Sequence, residues 1–153
     1  LNKMKRYGFT NLVEVMESDT EASAVQERLI RSVRWFDRGL LSEDSADALV
    51  NYCTSVESLL SRSDRPISSN LADAVAFLTE EEMEKRLEKR STFKSLYELR
   101  SAAVHGEQDE FNDEQVKEFR ELARSTIIAV SRRQNELYTD EDVKDWLDRQ
   151  RFG

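Results

Sequence analysis

"TEASAVQERLIRSVRWFDRGL", residues 20–40, is the stretch that indicates the fold class most clearly. Its apolar side chains follow one another at steps of three or four, at Ala22, Val25, Leu29, Val33, Phe36 and Leu40. Because an α-helix turns once every 3.6 residues, this spacing places them all on one face. We expect a helix that begins at an N-cap Thr20 and stops near Gly39.

The same spacing recurs in five later segments, through residues 46–60, 71–78, 79–106, 112–130 and 139–147. Thr79 and Glu82 have the spacing of a capping box, and Asn112 and Gln115 repeat it. No segment alternates with a period of two, so no sheet is expected. The sequence therefore predicts an all-α fold, a bundle of four main helices plus short extra helices over residues 20–153. Residues 1–19 are predicted to be an arm or linker.

Composition narrows the classes of function. A chain of 153 residues suits one domain, and a net charge of −8 argues against a broad nucleic-acid-coating surface, though not against a local basic cleft. One cysteine favours a reducing, cytoplasmic setting, and no apolar run is long enough for a membrane span. One histidine and one cysteine offer no metal-ligand spacing, so we expect neither metal nor cofactor.

The single histidine lies in "LYELRSAAVHG", residues 96–106, five residues after Arg100. His105 before Gly106 reads either as a plain helix end or as a proton carrier beside an arginine. Five residues at 100° each place Arg100 and His105 about 140° apart around a helix. They meet at one ligand only if the last turn unwinds near Gly106 or if a second copy contributes. We favour a twofold homodimer whose axis passes near this helix end.

Two charged residues stand at helix positions where apolar residues are expected. Glu57 lies four residues after Cys53 and three before Leu60, within the apolar stripe of its segment. Arg100 lies at the edge of the stripe that carries Leu96 and Val104. A carboxylate and a guanidinium on two core-facing surfaces predict a buried or half-buried ion pair between them.

The segments "ALVNYCTSVESLLS", residues 48–61, and "LYELRSAAVHG" together resemble a HEPN domain of the Apea-like branch. That family is a helical bundle in which an arginine is followed, after four to six residues, by a histidine. Arg100, the four residues that follow it and His105 match this pattern, and Gly106 fits the branch. The resemblance covers roughly residues 22–135.

The resemblance implies a metal-independent endoribonuclease that acts as a homodimer, with a role in bacterial defence or stress response. His105 is then the general acid/base for attack of a ribose 2′-hydroxyl, and Arg100 holds the phosphate. Glu57, Ser101 and Tyr97 are the expected supporting residues. Ser101 replaces the Asn, Asp or His of many ribonuclease members, although serine is common in this branch. Glu107 replaces a tyrosine that nucleotidyltransferases modify in another group, so that pairing is not predicted.

A basic run leads along the same segment towards Arg100. Arg86, Arg90 and Lys94 follow at four-residue steps and are candidate RNA contacts. The alternative is a solvated helix face with the ion pairs Glu81–Lys85 and Glu82–Arg86. Tyr97 is placed either to stack on a base or to pack in the core. The aromatic side chains predicted to lie in the core are Trp35, Phe36 and Trp146.

Two functions therefore remain open on the sequence. The first is an RNA-cleaving or RNA-binding module, which the spacing of Arg100 and His105 favours. The second is a non-catalytic helical dimerisation or interaction domain of a larger protein, which the net charge of −8 and Ser101 favour.

Overall fold

The computed structural model describes residue 13 and residues 22–60, 67–105, 111–137 and 139–153. These ranges hold six helices and no β-strand. The all-α prediction is confirmed, and the predicted arm at 1–19 lies outside the described residues except for residue 13. The helices are α1 (Ala24–Leu41), α2 (Ser45–Leu60), α3 (Ile67–Thr79), α4 (Met83–His105), α5 (Asp113–Arg132) and α6 (Asp140–Phe152).

Helices α1 and α2 form a tightly packed antiparallel hairpin. Ser32 and Ser55 face each other in its buried centre, where each hydroxyl donates to the other residue's carbonyl oxygen at 2.8 Å. Small side chains at this level let the two helix backbones approach closely. Near the end of α1, the Phe36 and Tyr52 rings pack with their centroids 5.4 Å apart.

Both predicted ends of α1 need correction. The N-cap is Ser23, whose hydroxyl accepts from the Gln26 amide while the Gln26 side chain accepts from Ser23 N–H. Thr20 itself lies outside the described residues. At the other end the helix continues past Gly39 to Leu41. Gly39 is buried, and a Cβ there would lie 2.6 Å from Tyr52 Cε1, so the glycine permits close packing instead of ending the helix.

Of the other two predicted capping boxes, one is confirmed and one is wrong. Asn112 with Gln115 forms the predicted capping box of α5, and Thr139 is the N-cap of α6. The predicted box of Thr79 with Glu82 is wrong, because Thr79 is the last residue of α3 and its hydroxyl donates to the Val75 carbonyl. A serine or threonine inside a helix turn can bond its own backbone, which removes it from capping.

The core lies where α2 and α5 pack against their neighbours. Phe93 of α4 and Phe119 of α5 are fully buried and meet edge to face, with centroids 6.0 Å apart. Val143 of α6 is buried, and Trp146 and Leu147 pack against the same core. Among the described helices, none combines the length and apolar content that a bilayer crossing requires.

The direction of α4 follows from two contacts. Tyr97 of α4 bonds Glu57 near the end of α2, and the Phe111 amide donates to Ser45 Oγ at the start of α2. If α4 ran parallel to α2, His105 would lie about 30 Å from Ser45, farther than the six residues to Phe111 can span at about 3.5 Å each. Hence α4 is antiparallel to α2. The ends of α1 and α4 and the starts of α2 and α5 share one end of the bundle, called here the His105 end.

Candidate functional site

Helix α4 holds the predicted catalytic pair at its C-terminal end. It is one helix of 23 residues through His105, so no unwinding occurs up to that residue. The His105 side chain is exposed, whereas Arg100 is half-buried. Because five helical residues separate the two side chains by about 140°, they do not converge within one chain. Gly106, the predicted cap, lies outside the described residues.

Arg100 belongs to a polar cluster between α2 and α4. Its Nη2 lies 3.7 Å from Glu57 Oε2, as the sequence predicts. The other carboxylate oxygen, Oε1, accepts a hydrogen bond of 2.7 Å from the Tyr97 hydroxyl. The Arg100 guanidinium also lies 5.9 Å from the centroid of the Tyr97 ring. Glu57 therefore orients both α4 side chains through one carboxylate.

Burial sets the protonation of the two weak acids in this cluster. Desolvation raises the pKa of the Tyr97 hydroxyl, and its hydrogen bond to the Glu57 carboxylate raises it further. Desolvation also raises the pKa of the fully buried Cys53 thiol, with the Glu57 charge adding and Arg100 opposing. Both groups stay protonated near neutral pH, so Cys53 is not an activated nucleophile.

The Arg100 guanidinium keeps hydrogen-bonding capacity. Its Nε is buried and has no hydrogen-bond partner among the described residues. The 3.7 Å contact with Glu57 is longer than the ~2.8 Å of a strong charge-assisted hydrogen bond. With 31% of its side chain exposed, Arg100 is accessible from solvent. An anionic oxygen can therefore bind this guanidinium without first breaking a tight internal hydrogen bond.

The remaining predicted supporting residues lie in different surroundings. Ser101 is exposed and follows Arg100 on the solvent side of α4. Tyr97 is half-buried, and its ring lies 5.8 Å from that of Phe93. Between its hydroxyl bond to Glu57 and this ring contact, Tyr97 is packed inside the bundle, which favours the core alternative over base stacking.

Two of the three side chains in the predicted basic run bind other residues of the same chain. Arg86 donates to the Glu80 carbonyl at 2.8 Å and to the Gln150 side chain at 3.3 Å. Arg90 pairs with Asp73 of α3. Lys94 is half-buried. The first two side chains thus tie α4 to α3 and α6, and RNA contact by the run stays a prediction.

The predicted ion pairs Glu81–Lys85 and Glu82–Arg86 are wrong, and different pairs form near the start of α4. Lys85 pairs with Glu82 at 2.8 Å, and Lys89 pairs with Glu80 at 3.3 Å. The first joins residues three apart instead of four. The Lys85–Glu82 pair is exposed, and exposed pairs contribute little to stability.

One basic surface was not predicted. It consists of Arg31, Arg34, Trp35 and Arg38 on the outer side of α1, and it is called here the α1 stripe. Trp35, expected in the core, is only half-buried and lies under the Arg38 guanidinium at 4.4 Å. The sequence signal was the run of arginines at steps of three and four on the face opposite the apolar residues.

No group of three or more His, Cys, Asp or Glu side chains that could hold a metal ion occurs in the described part of the chain. Comparison of the chain with protein-family models, with curated proteins and with solved structures finds no match.

Proposed function

We propose that this chain is a HEPN-type RNA-cleaving module that acts as a homodimer without a metal ion. One observation carries the proposal. The exposed imidazole of His105 ends α4, and Glu57 holds the Arg100 guanidinium half-exposed five residues earlier. A proton-transfer group and a phosphate-binding group are the two parts that cleavage of RNA by its own 2′-hydroxyl requires.

In the proposed reaction His105 takes the proton from a ribose 2′-hydroxyl. The 2′-oxygen then forms a bond to the adjacent phosphorus, and the bond from phosphorus to the 5′-oxygen of the next nucleotide breaks. The imidazolium of the same His105 then gives that proton to the leaving oxygen. The products are a 2′,3′-cyclic phosphate and a free 5′-hydroxyl. Arg100 binds the non-bridging phosphate oxygens, where negative charge accumulates in the transition state.

Two copies of the chain are part of the proposal because one copy separates the pair by about 140°. The surface around the His105 end supports association. Val104, next to His105, is 52% exposed, and Leu40 and Leu41 at the end of α1 are 51% and 76% exposed. Aliphatic side chains left in water at the end of a bundle favour contact with a second protein surface.

The same apolar side chains support a second candidate, a non-catalytic dimerisation or interaction domain. In that case the contact between Arg100 and Glu57 serves only to join α2 and α4. The two candidates predict the same association. They differ in whether RNA is cut.

The deciding experiment incubates purified protein with mixed-sequence RNA in the presence of EDTA. We expect cleavage that survives the chelator and falls by ~10²–10⁴-fold in His105→Ala, since a general acid/base contributes that much. Glu98→Gln is the matched control, because Glu98 is exposed on the same helix. Its activity should equal that of the wild type.

Intact RNA at high protein concentration, with unchanged dimerisation in His105→Ala, would reject cleavage and favour the interaction domain. Equal cleavage by wild type and His105→Ala would also reject the proposed mechanism, because it would assign the activity to another residue or to a contaminant.

A further inference from the structure

The α1 stripe is a narrow cationic surface on a strongly acidic chain. At 100° per residue, its four side chains fall within an arc of about 100° on the side of α1 opposite Leu29. Arg31, Arg34 and Arg38 are all exposed, in a chain whose net charge is −8. They span about 10 Å along the helix axis.

The three arginines of the α1 stripe keep their positive charges free of ion pairs in the described part of the chain. Among the described residues, no ion pair includes Arg31, Arg34 or Arg38, whereas Arg28, one turn earlier, pairs with Asp140 at 2.7 Å. Glu27 and Asp37 are the exposed carboxylates of the same helix. Glu27 lies within the arc one turn before Arg31, and Asp37 lies about 60° outside the arc, so three positive charges face solvent against one carboxylate within the arc.

We infer that the α1 stripe binds single-stranded RNA and guides it to the His105 end. The inference rests on the proposed function in one respect, the choice of RNA as the polyanion. Three arginines along about 10 Å of the helix present three cationic donors to neighbouring phosphates of one strand. Trp35 adds a flat ring with a guanidinium 4.4 Å above it. Aromatic rings and arginines side by side bind unpaired bases by stacking, which an acidic peptide does not use.

The position of the stripe on the bundle agrees with this role. Arg38 lies in the last turn of α1, three residues before its end at Leu41. That end of α1 is at the His105 end of the bundle, because Asn51 of α2 donates to Ser42 just after α1 and Phe111 donates to Ser45. A strand lying along the stripe therefore runs towards the end of the bundle at which α4 also ends.

The test measures binding of fluorescein-labelled, mixed-sequence, single-stranded RNA in the His105→Ala background, where the probe is not cut. The stripe variant carries Arg31→Gln, Arg34→Gln and Arg38→Gln. It should bind at least about tenfold more weakly, and its salt slope between about 50 and 200 mM should fall by about 2, as expected for three lost phosphate contacts.

The matched control removes the same charge elsewhere. Lys85→Gln, Lys117→Gln and Arg124→Gln change exposed cations of α4 and α5. This variant should lose less than about threefold in affinity, because it changes only the long-range field. Trp35→Leu should weaken binding by about fivefold or more through lost stacking. Circular dichroism should show unchanged helix content in all variants, since every substituted arginine and lysine is exposed.

Three results would overturn the inference. One is an equal loss of RNA affinity in both triple variants, which would show that net charge, and not the α1 stripe, determines binding. Another is the absence of RNA binding by the chain at about 50 mM salt. The third is a polyglutamate peptide that binds the stripe as tightly as RNA, with no effect of Trp35→Leu, which would indicate an acidic protein partner.

Measuring RNA cleavage together with RNA binding distinguishes a failure of this inference from a failure of the proposed function. Stripe-dependent RNA binding by a chain that cuts no RNA would keep the inference and reject the cleavage proposal. EDTA-resistant cleavage with RNA affinity unchanged in the stripe variant would reject the inference and keep the cleavage proposal.

Discussion

Helix α2 presents polar groups to two neighbours in two different ways. Towards α1, Ser55 exchanges hydrogen bonds of 2.8 Å with Ser32, and both residues are fully buried. Towards α4, Glu57 meets Arg100 at 3.7 Å, and the two side chains are 18% and 31% exposed. In one interface the hydrogen-bonded serines are fully buried, and in the other the charged side chains are partly exposed to solvent.

The difference indicates what each interface does. Buried hydroxyls that satisfy each other stabilise the hairpin and leave nothing for a ligand. A guanidinium that is 31% exposed and 3.7 Å from its carboxylate contributes little to stability and retains donors for an anion. We therefore expect substitutions between α1 and α2 to change the free energy of unfolding, and substitutions between α2 and α4 to change function.

The largest effect on stability is expected from Gly39→Val. Its Cβ would lie 2.6 Å from Tyr52 Cε1, and the buried Tyr52 ring packs against Phe36 and has no room to swing away. We expect the free energy of unfolding to fall by about 3 kcal/mol in urea denaturation. Leu40→Val, at the adjacent half-exposed residue, should stay within about 0.5 kcal/mol. Equal losses in the two variants would contradict the close packing at Gly39.

Ser32→Ala tests the serine pair with a smaller expected effect. It removes a buried hydroxyl and leaves Ser55 Oγ without one of its partners, so we expect a loss of about 1–2 kcal/mol. Ser125→Ala is the control, since its hydroxyl bonds only within its own helix and its loss should cost under about 0.5 kcal/mol. Adding Ser55→Ala should cost less than the sum of the two single changes, because both hydroxyls then disappear. Strict additivity would show that the two serines act independently.

The pH dependence tests the interface with α4. The folded pKa of Tyr97 is raised, so this group's contribution to stability is complete below its unfolded pKa of about 10 and is lost as pH rises above it. Tyr97→Phe should therefore flatten the fall in unfolding free energy between pH 9.5 and 11, measured by denaturation along a pH series. The change should stay below ~1.4 kcal/mol per pH unit, because the ring is only half-buried. A curve with the same slope in wild type and Tyr97→Phe would contradict the burial of this hydroxyl.

Glu57→Gln should have the smallest effect on stability. Glutamine still accepts the Tyr97 hydrogen bond, and the lost ion pair is long and partly exposed, so we expect a change below about 1 kcal/mol. RNA cleavage should nevertheless fall severalfold, because Arg100 loses the charge that positions it. Glu98→Gln is again the control. Unchanged stability together with unchanged cleavage would remove any role for the Glu57–Arg100 contact.

Signals that act within one helix turn were predictable from the sequence in part, since the Thr79–Glu82 spacing forms no capping box. The capping box of Asn112 with Gln115 was predicted and is present, whereas α6 begins near the predicted Thr139 with a capping box that was not predicted. The contact between Glu57 and Arg100 was also predictable, because a charge inside an apolar stripe must find a partner in the facing helix.

Features that depend on a facing helix were not predictable. In the sequence Gly39 is typical of a helix stop, and only the position of the Tyr52 ring in the structure shows that it permits close packing. Ser32 and Ser55 carry no signal of their pairing, since either serine alone is an ordinary helix residue. Trp35 was assigned to the core by its residue type, although its position on α1 places it next to Arg38 and away from Leu29.

The most direct test of the central claim mixes two inactive variants, Arg100→Ala and His105→Ala, and measures cleavage of RNA in EDTA. If the arginine and the imidazole act across two chains, mixed dimers contain one complete pair, and activity should return to about a quarter of the wild-type level for random pairing of subunits. Each variant alone should stay inactive. A mixture that exchanges subunits yet remains as inactive as its components would contradict a site shared between two copies of α4.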